Sequence, residues 1–424
     1  MKKIIFTLIF LSVFIINSFA QKEYTEYWKN NKVSTKGFKS DKGVRVGQWI
    51  WYYENGNKEQ EGTYNDNGKK INTWNYYYED GKLKKEECFS ENGFNKAYYN
   101  NGQLYYSVEI KDGKRVGSYK EYHKDGKDKM IGVYVDDELD GPVTWWYENG
   151  DKEMEGTLKA GKRDGNWKYY YRENGALGSE GSFLNDKETG LWVYFYQTTE
   201  KWREGEYENG KREGEWITYY ESGKTLHKGN YKNGLEEGVW ESWYENGKLK
   251  DKGSFLAGKM NGIWASWNEN GIPQTECSYK DGLKDGTEVL YDERGKIYVK
   301  SEYKQGKFDG KYEKYSDRNV LIESSNYKNG KKDGRCIFYF LQGAKLREQS
   351  FKEGKPEGKW VEYYENGNKA SEGEYSNGKQ TGKWINYDKQ GNKTSIVKYN
   401  QGRKVSQEVI KKDKEQNAKS KSFQ

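Results

Sequence analysis

The chain has 424 residues, 33% hydrophobic and 33% charged, with a mean hydropathy of −1.23. Such averages resemble a disordered chain. Yet 16 Trp, 39 Tyr and 15 Phe beside 3 Pro exclude one, and the thin aliphatic content excludes two or three closed cores of ordinary build. Formal charge is +7, of which Lys2, Lys3 and a +3 tail from Lys411 to Gln424 carry five; about +2 is left on the body. That excludes a strong basic field, so nucleic acid is not an expected partner and strong membrane-surface binding is not expected either.

In chain order, Met1-Lys2-Lys3 is a basic start, Ile4 to Ile16 is apolar apart from Thr7 and Ser12, and Asn17-Ser18-Phe19-Ala20 offers small residues before Gln21. Residues 1–20 read as a cleavable secretory signal. The run is short for a span of ~20 residues. The expected location is therefore the periplasm, the outer surface or the exterior. Residues 21–46 read as an N-terminal cap or half repeat, in which Phe38, Gly43 and Gly47 echo the second half of the unit that follows.

From residue 47 to 404 the chain repeats itself. The pattern is G-x-W-x-x-Y-Y-E-N-G-x-K-x-x-E-G-x-Y-x-N-G-K-x-x, as in Gly214 to Glu237 and Gly358 to Thr381. Copies start at 47, 72, 93, 117, 141, 165, 190, 214, 238, 262, 286, 310, 334, 358 and 382, with a steady period of 24 from 190 onward. Residues 405–424 lose the pattern and read as a flexible basic tail. Each copy holds two strand-like runs: an aromatic one such as Trp216-Ile217-Thr218-Tyr219-Tyr220, and one ending on a residue such as Tyr231. A triplet such as Glu-Asn-Gly separates them, and a Gly-rich turn such as Asn209-Gly210 to Gly214 leads to the next copy. Helical periodicity is absent. The expected fold is all-β: an elongated single-layer antiparallel β-sheet of about fifteen tandem β-hairpin repeats. At ~10 Å per hairpin it would run ~140 Å.

Numbering the first residue of a copy zero, column five is aromatic in every copy and column two is Trp in nine, for instance Trp49, Trp74, Trp216, Trp240 and Trp384. The two columns differ in parity, which predicts an aromatic ladder on each face. A two-residue Asn-Gly loop, both residues at positive φ, would pair column two with column fifteen and set Gly205 opposite Trp192 and Gly229 opposite Trp216, an aromatic ring over a cross-strand glycine. A three-residue loop with a bulge would shift that register by one.

The chemical inventory is thin. His123 in column six reads as a ladder ring and His227 as a solvated strand residue. Cys88, Cys277 and Cys336 sit in separate copies, too distant for a bridge, and read as packing residues, Cys336 in place of a column-two Trp. The recurring column-fourteen acids, including Glu61, Glu155, Glu204 and Glu372, read as solvated cross-strand charge partners. Asp136 to Gly141 lacks the twelfth-position Glu of a calcium loop, since Tyr147 stands there, and Gly330 to Gly334 lacks phosphate-loop spacing. No catalytic residue, metal site or cofactor is expected.

These registered copies resemble the MORN-repeat superfamily, most closely its bacterial variant, some members of which are labelled antitoxin-like. The resemblance spans about residues 37 to 404 and implies β-hairpin sheets used as scaffolds for protein and sometimes phospholipid partners. The expected function is a non-enzymatic, exported, protein-binding scaffold. The alternatives are an aromatic ladder that binds a surface polysaccharide, or an antitoxin-like protein that binds a toxin or effector. Candidate binding residues are the column-five rings Tyr219, Trp243, Trp267, Tyr291 and Tyr315. To these are added Asn95 and Glu288, two of the positions where column two loses Trp in copies three to five and eleven to thirteen.

Overall fold

The computed structural model describes residues 21–410, so the expected signal sequence and the end of the tail lie outside the described residues. Within them lie 36 β-strands, β1 to β36 in chain order, and no helix. The chain divides into two compact units. The first holds residues up to Thr189 with Gln197–Thr199, and the second holds Gly190–Tyr196 with everything from Glu200 on. Within each unit, strands consecutive in the chain pair antiparallel, hairpin after hairpin.

The copy starting at Gly214 shows how the sequence builds its unit. Strands β18 (Lys211–Tyr219) and β19 (Thr225–Lys232) join through a loop in which the Gly223 amide donates to the Tyr220 carbonyl at 2.9 Å and the Tyr220 amide to the Lys224 carbonyl at 2.8 Å. This is a three-residue loop whose last residue, Gly223, is left-handed at φ 79°. The two-residue loop expected here is not formed. At Asn246-Gly247 too, Gly247 takes the positive φ (84°), while the Asn246 carboxamide accepts the Lys248 amide and donates to the Glu269 carbonyl, both at 2.9 Å. The longer loop offsets the register by one residue, and a bulge between Thr218 and Tyr219 immediately restores it. Trp216 therefore does pair with Gly229, as column two was expected to pair with column fifteen.

The two-residue turn with both φ positive lies at the other end of the unit. Asn233 (φ 53°) and Gly234 (φ 85°) connect β19 to β20 (Leu235–Trp243), with Lys232 opposite Leu235. A second bulge follows near Gly238, itself at φ 69°. The column-zero position takes this left-handed backbone in every copy but the one starting at Gly93, and Asn72, the one residue there that is not glycine, adopts φ 57°.

Both ends of the array continue the scheme. β1 (Lys22–Tyr27) and β2 (Val33–Lys39) form a hairpin, and the Trp28 indole donates to the Tyr52 carbonyl at 3.0 Å. β36 (Arg403–Val409) pairs along β35 (Lys393–Asn400), so residues 405–409 of the stretch expected as tail are strand.

The core is one face of the sheet. Trp49, Trp74 and Trp167 are at most 1% exposed although, among the described residues, no second layer covers them. Their cover is local: Tyr194, Tyr207 and Tyr231 surround Trp216 at centroid distances of 6.4, 5.1 and 6.1 Å, and the Arg212 guanidinium lies 4.7 Å above its ring. The glycine–tryptophan device is present, with one correction. The ring lying over Gly205 is that of Trp216 in the following copy, not Trp192 in its own. Gly37, Gly62, Gly156, Gly229, Gly253 and Gly373 lie likewise under Trp49, Trp74, Trp167, Trp240, Trp264 and Trp384, and any side chain on these glycines would overlap the indole. Gly205, Gly229 and Gly253 each pair with their own copy's tryptophan on one side and receive the next one on the other, whereas Gly156 pairs with Val143 and Gly37 with Tyr24. The joint between copies is thus built into the middle of the sheet.

Candidate binding surface

The face opposite the tryptophans is assembled differently. The Tyr219 hydroxyl donates to Glu204 of the preceding copy at 2.6 Å, and Lys201 reaches the same carboxylate at 2.9 Å. Tyr170, Glu155 and Lys152 repeat the arrangement, as do Tyr387, Glu372 and Lys369, and Tyr77, Glu61 and Lys58. The column-fourteen acids, read from the sequence as solvated charges, are half-buried hubs instead. Partial burial works against the charged form of Glu204, but hydrogen bonds from Tyr219 and Lys201 outweigh it and hold the carboxyl below its ordinary range. Burial, then the bond to Glu204, push the Tyr219 phenol up to about 12. The described ring-on-ring stacking runs along the tryptophan face, whereas these column-five tyrosines are tied by hydroxyl–carboxylate bonds.

Column six adds a joint that the sequence reading missed. The Tyr220 hydroxyl donates to the Trp243 carbonyl at 2.8 Å, and Tyr53, Tyr147, Tyr244 and Tyr364 reach the equivalent carbonyl one copy on at 2.8–3.0 Å. His123 takes this place in its copy, with Nε2 2.9 Å from the Trp146 carbonyl. The recurring Tyr-Tyr doublet was its signal. His227, expected in solvent, packs against Trp240 at 6.0 Å between ring centres, and burial lowers its pKa.

The candidate residues fall into two groups. Tyr219, Trp243, Trp267, Tyr291 and Tyr315 belong to column five. The backbone carbonyls of Tyr219, Trp243 and Trp267 accept column-six tyrosines, and Tyr315 donates to Glu313 at 3.2 Å. Burial raises the pKa of Tyr291 and Tyr315. Asn95 and Glu288 are not on this surface. The Asn95 side-chain oxygen accepts the Cys88 amide at 2.6 Å, and Glu288, 7% exposed, pairs with Lys284 and accepts the Ser301 hydroxyl at 3.4 Å. Both stand where an indole would otherwise pack. Cys336 fills such a place at 0% exposure, Cys277 is buried too, and all three cysteines are free thiols. Asp136 and Asp137 make ion pairs with Lys114 and Arg115, and Asp140 accepts the Ala160 amide. Among the described residues, no three His, Cys, Asp or Glu side chains gather as a metal site.

The bonded face also leaves aliphatic side chains uncovered. Leu235, Val239, Leu256, Ile263 and Leu283 are 49–60% exposed on consecutive hairpins of the second unit. Register places them together: Val239 pairs with Ser254, two residues from Leu256 on the same strand face, and Leu235 and Leu283 close the neighbouring turns. The sequence reading passed over them because each departs singly from its column.

The MORN repeat variant pattern matches residues 45–66, 71–91, 139–160, 212–233, 236–257, 260–281, 284–305 and 356–377. The chain belongs to the MORN-repeat family. Every matched stretch lies within the hairpin array, and the structure extends the same MORN scheme to the hairpins between them. No curated protein matches the chain by sequence. Similar solved chains include one in the TcdB2-TccC3-Cdc42 structure (9% identity, TM-score 0.14, 89% of this chain and 27% of that one). Others are TcdB2-TccC3 without its hypervariable C-terminal region (11%, 0.17, 89% and 21%) and the Photorhabdus luminescens Tc holotoxin pore (10%, 0.14, 87% and 24%). The chain spans about a quarter of their length or less, and superposition at these scores carries no argument.

Proposed function

We propose that this MORN array is a non-enzymatic scaffold that binds another protein through the face opposite its tryptophans, and that it acts outside the cytoplasm. The observation that carries the reading is the aliphatic group Leu235, Val239, Leu256, Ile263 and Leu283, exposed on the face where the tyrosine–glutamate–lysine ties lie. Contiguous apolar surface on a bonded, preorganised sheet favours a protein partner. The apolar run of residues 4–16 supports export.

The test is affinity capture of the tagged full chain from envelope and extracellular fractions, alongside Val239→Lys/Ile263→Lys. A partner retained by the parent chain and lost by the variant supports the reading. Equal capture by both, or none by either, overturns it. Recovery of the chain in the cytoplasm with residues 1–20 still attached would overturn its location.

A further inference from the structure

The two-residue turns of the second unit change character along the array. In three successive copies the residues closing the turn are one Leu and one Lys: Lys232 opposite Leu235, Leu256 opposite Lys259, Lys280 opposite Leu283. In the next three both are lysine: Lys304 opposite Lys307, Lys328 opposite Lys331, Lys352 opposite Lys355. All six lysines are exposed, and none joins an ion pair or side-chain hydrogen bond among the described residues. Like charges directly opposite each other destabilise a sheet. Of the acids nearby, Asp285, Asp309, Asp333 and Glu357 are directed to the backbone amides of Gln305, Asn329, Glu353 and Asn377 at 2.6–3.1 Å rather than to the lysines, and Glu353 lies in the last turn beside Lys352. Between these turns lies a concavity of about 800 Å³, lined by Lys307, Lys328, Lys331, Lys352 and Phe351 together with the acids Asp333, Glu353 and Glu357.

We propose that this lysine edge, continued by the Leu–Lys turns before it, is the docking site for an acidic, extended polypeptide segment; the inference rests on the protein-binding reading and names the chemistry of the partner. Successive turns are two strands apart, ~10 Å, and three residues of extended chain span the same distance at ~3.3 Å each. A strand with an acid at every third position would meet each lysine pair in turn, and its apolar residues would continue over Leu283 and Leu256. An anionic polysaccharide matches the lysines but has no aliphatic side chains for the leucines. The edge holds its positive charges apart from internal partners, so a carboxylate ligand removes the like-charge repulsion as it binds.

The experiment titrates the full chain with poly-L-glutamate and, separately, polygalacturonate, at low and high salt. It compares the parent with a variant carrying Lys→Gln at 304, 307, 328, 331, 352 and 355, and with the control Lys159→Gln/Lys162→Gln, a like-charged pair in the other unit. The expected result is salt-sensitive binding of poly-L-glutamate, at least about tenfold weaker in the sixfold variant. The control should bind as the parent does. The sixfold variant should melt no lower than the parent, which shows that it is folded. No binding of poly-L-glutamate, binding indifferent to the six substitutions, or stronger lysine-dependent binding of polygalacturonate would each overturn the proposal. A captured cellular partner retained by the sixfold variant would overturn the lysine edge and leave the scaffold reading standing.

Discussion

Between Glu204 and Phe255, each second-strand glycine lies under the indole of the copy that follows: Gly205 under Trp216, Gly229 under Trp240, Gly253 under Trp264. Between Cys277 and Gln349 the backbone repeats the same register and the same bulges, but Cys277 meets Glu288, Ser301 meets Tyr312 and Gln349 meets Trp360. Ser325 and Cys336 hold the equivalent places, both at 0% exposure. In three of these four joints the indole and the empty glycine are lost together, whereas at the fourth Gln349 meets a retained Trp360. These joints stay buried with other residue pairs, as expected of a packed interior. The second region also lacks the column-six tyrosine, with Asn268, Asp292, Ser316 and Phe340 in its place. Its copies are thus held by fewer side-chain bonds to the neighbouring copy's backbone.

Substitutions that damage one region and spare the other test this contrast, and hydrogen exchange is the suitable readout because stability in an array is local. The largest effect is expected for Trp216→Ala, about 3–5 kcal/mol, exposing the amides of β18 and its neighbours to exchange; Cys336→Ala removes far less volume and should cost about 1 kcal/mol. Next is Gly229→Ala, whose methyl would overlap the Trp240 indole, at about 1–3 kcal/mol, while Ser325→Ala at the equivalent joint should stay below about 1.5 kcal/mol. A Gly229→Ala protein as stable as its parent would show that the glycines serve the backbone and not the rings. Tyr220→Phe strands the Trp243 carbonyl for about 0.5–1.5 kcal/mol, and Phe340→Tyr should strengthen its own copy by supplying the missing donor.

The smallest effect is on pH dependence. The carboxyl of Glu204 is held below its ordinary range, so its tie stabilises the fold above the usual carboxylate pKa and is lost as pH falls through the lowered value. Tyr219 is raised to about 12, so its share is complete below the ordinary phenol pKa of 10.0 and disappears as pH rises through 12. Acid and alkaline melts of Glu204→Gln should flatten at both ends relative to the parent. Unchanged curves would mean that the tie contributes nothing measurable.

The hairpin period, the strand boundaries and the aromatic columns were legible in the sequence because one residue type recurs at a fixed offset. The partner of each glycine was not, since a strand inside a sheet has two neighbours and the period alone does not say which one supplies the ring. The signal was present: in the regular copies Trp follows the covered Gly by eleven or twelve residues, and the two vanish together at Ser301–Tyr312 and Ser325–Cys336. The loop length also escaped, because the bulge at Thr218–Tyr219 cancels the register change by which a three-residue loop would have been recognised. The exposed leucines and the unpaired lysine edge were invisible for a different reason. Leu235 and Leu283 replace the lysine of the repeat and vanish in its average, whereas Lys307, Lys331 and Lys355 are that repeat lysine and were read as part of the pattern.

The glycine-under-tryptophan joint has a consequence for how such a chain changes length. Each regular copy offers a vacancy to its successor and a ring to its predecessor, so all the regular joints are interchangeable. Deleting residues 214–237 would bring Gly205 to Trp240 and rebuild the joint already seen at Trp216. The same cut at 286–309 would bring Cys277 to Tyr312, a combination the chain does not use. Removing a whole copy from the regular stretch therefore rebuilds an existing joint, whereas removing one from 262 to 357 brings together partners that do not meet in the chain.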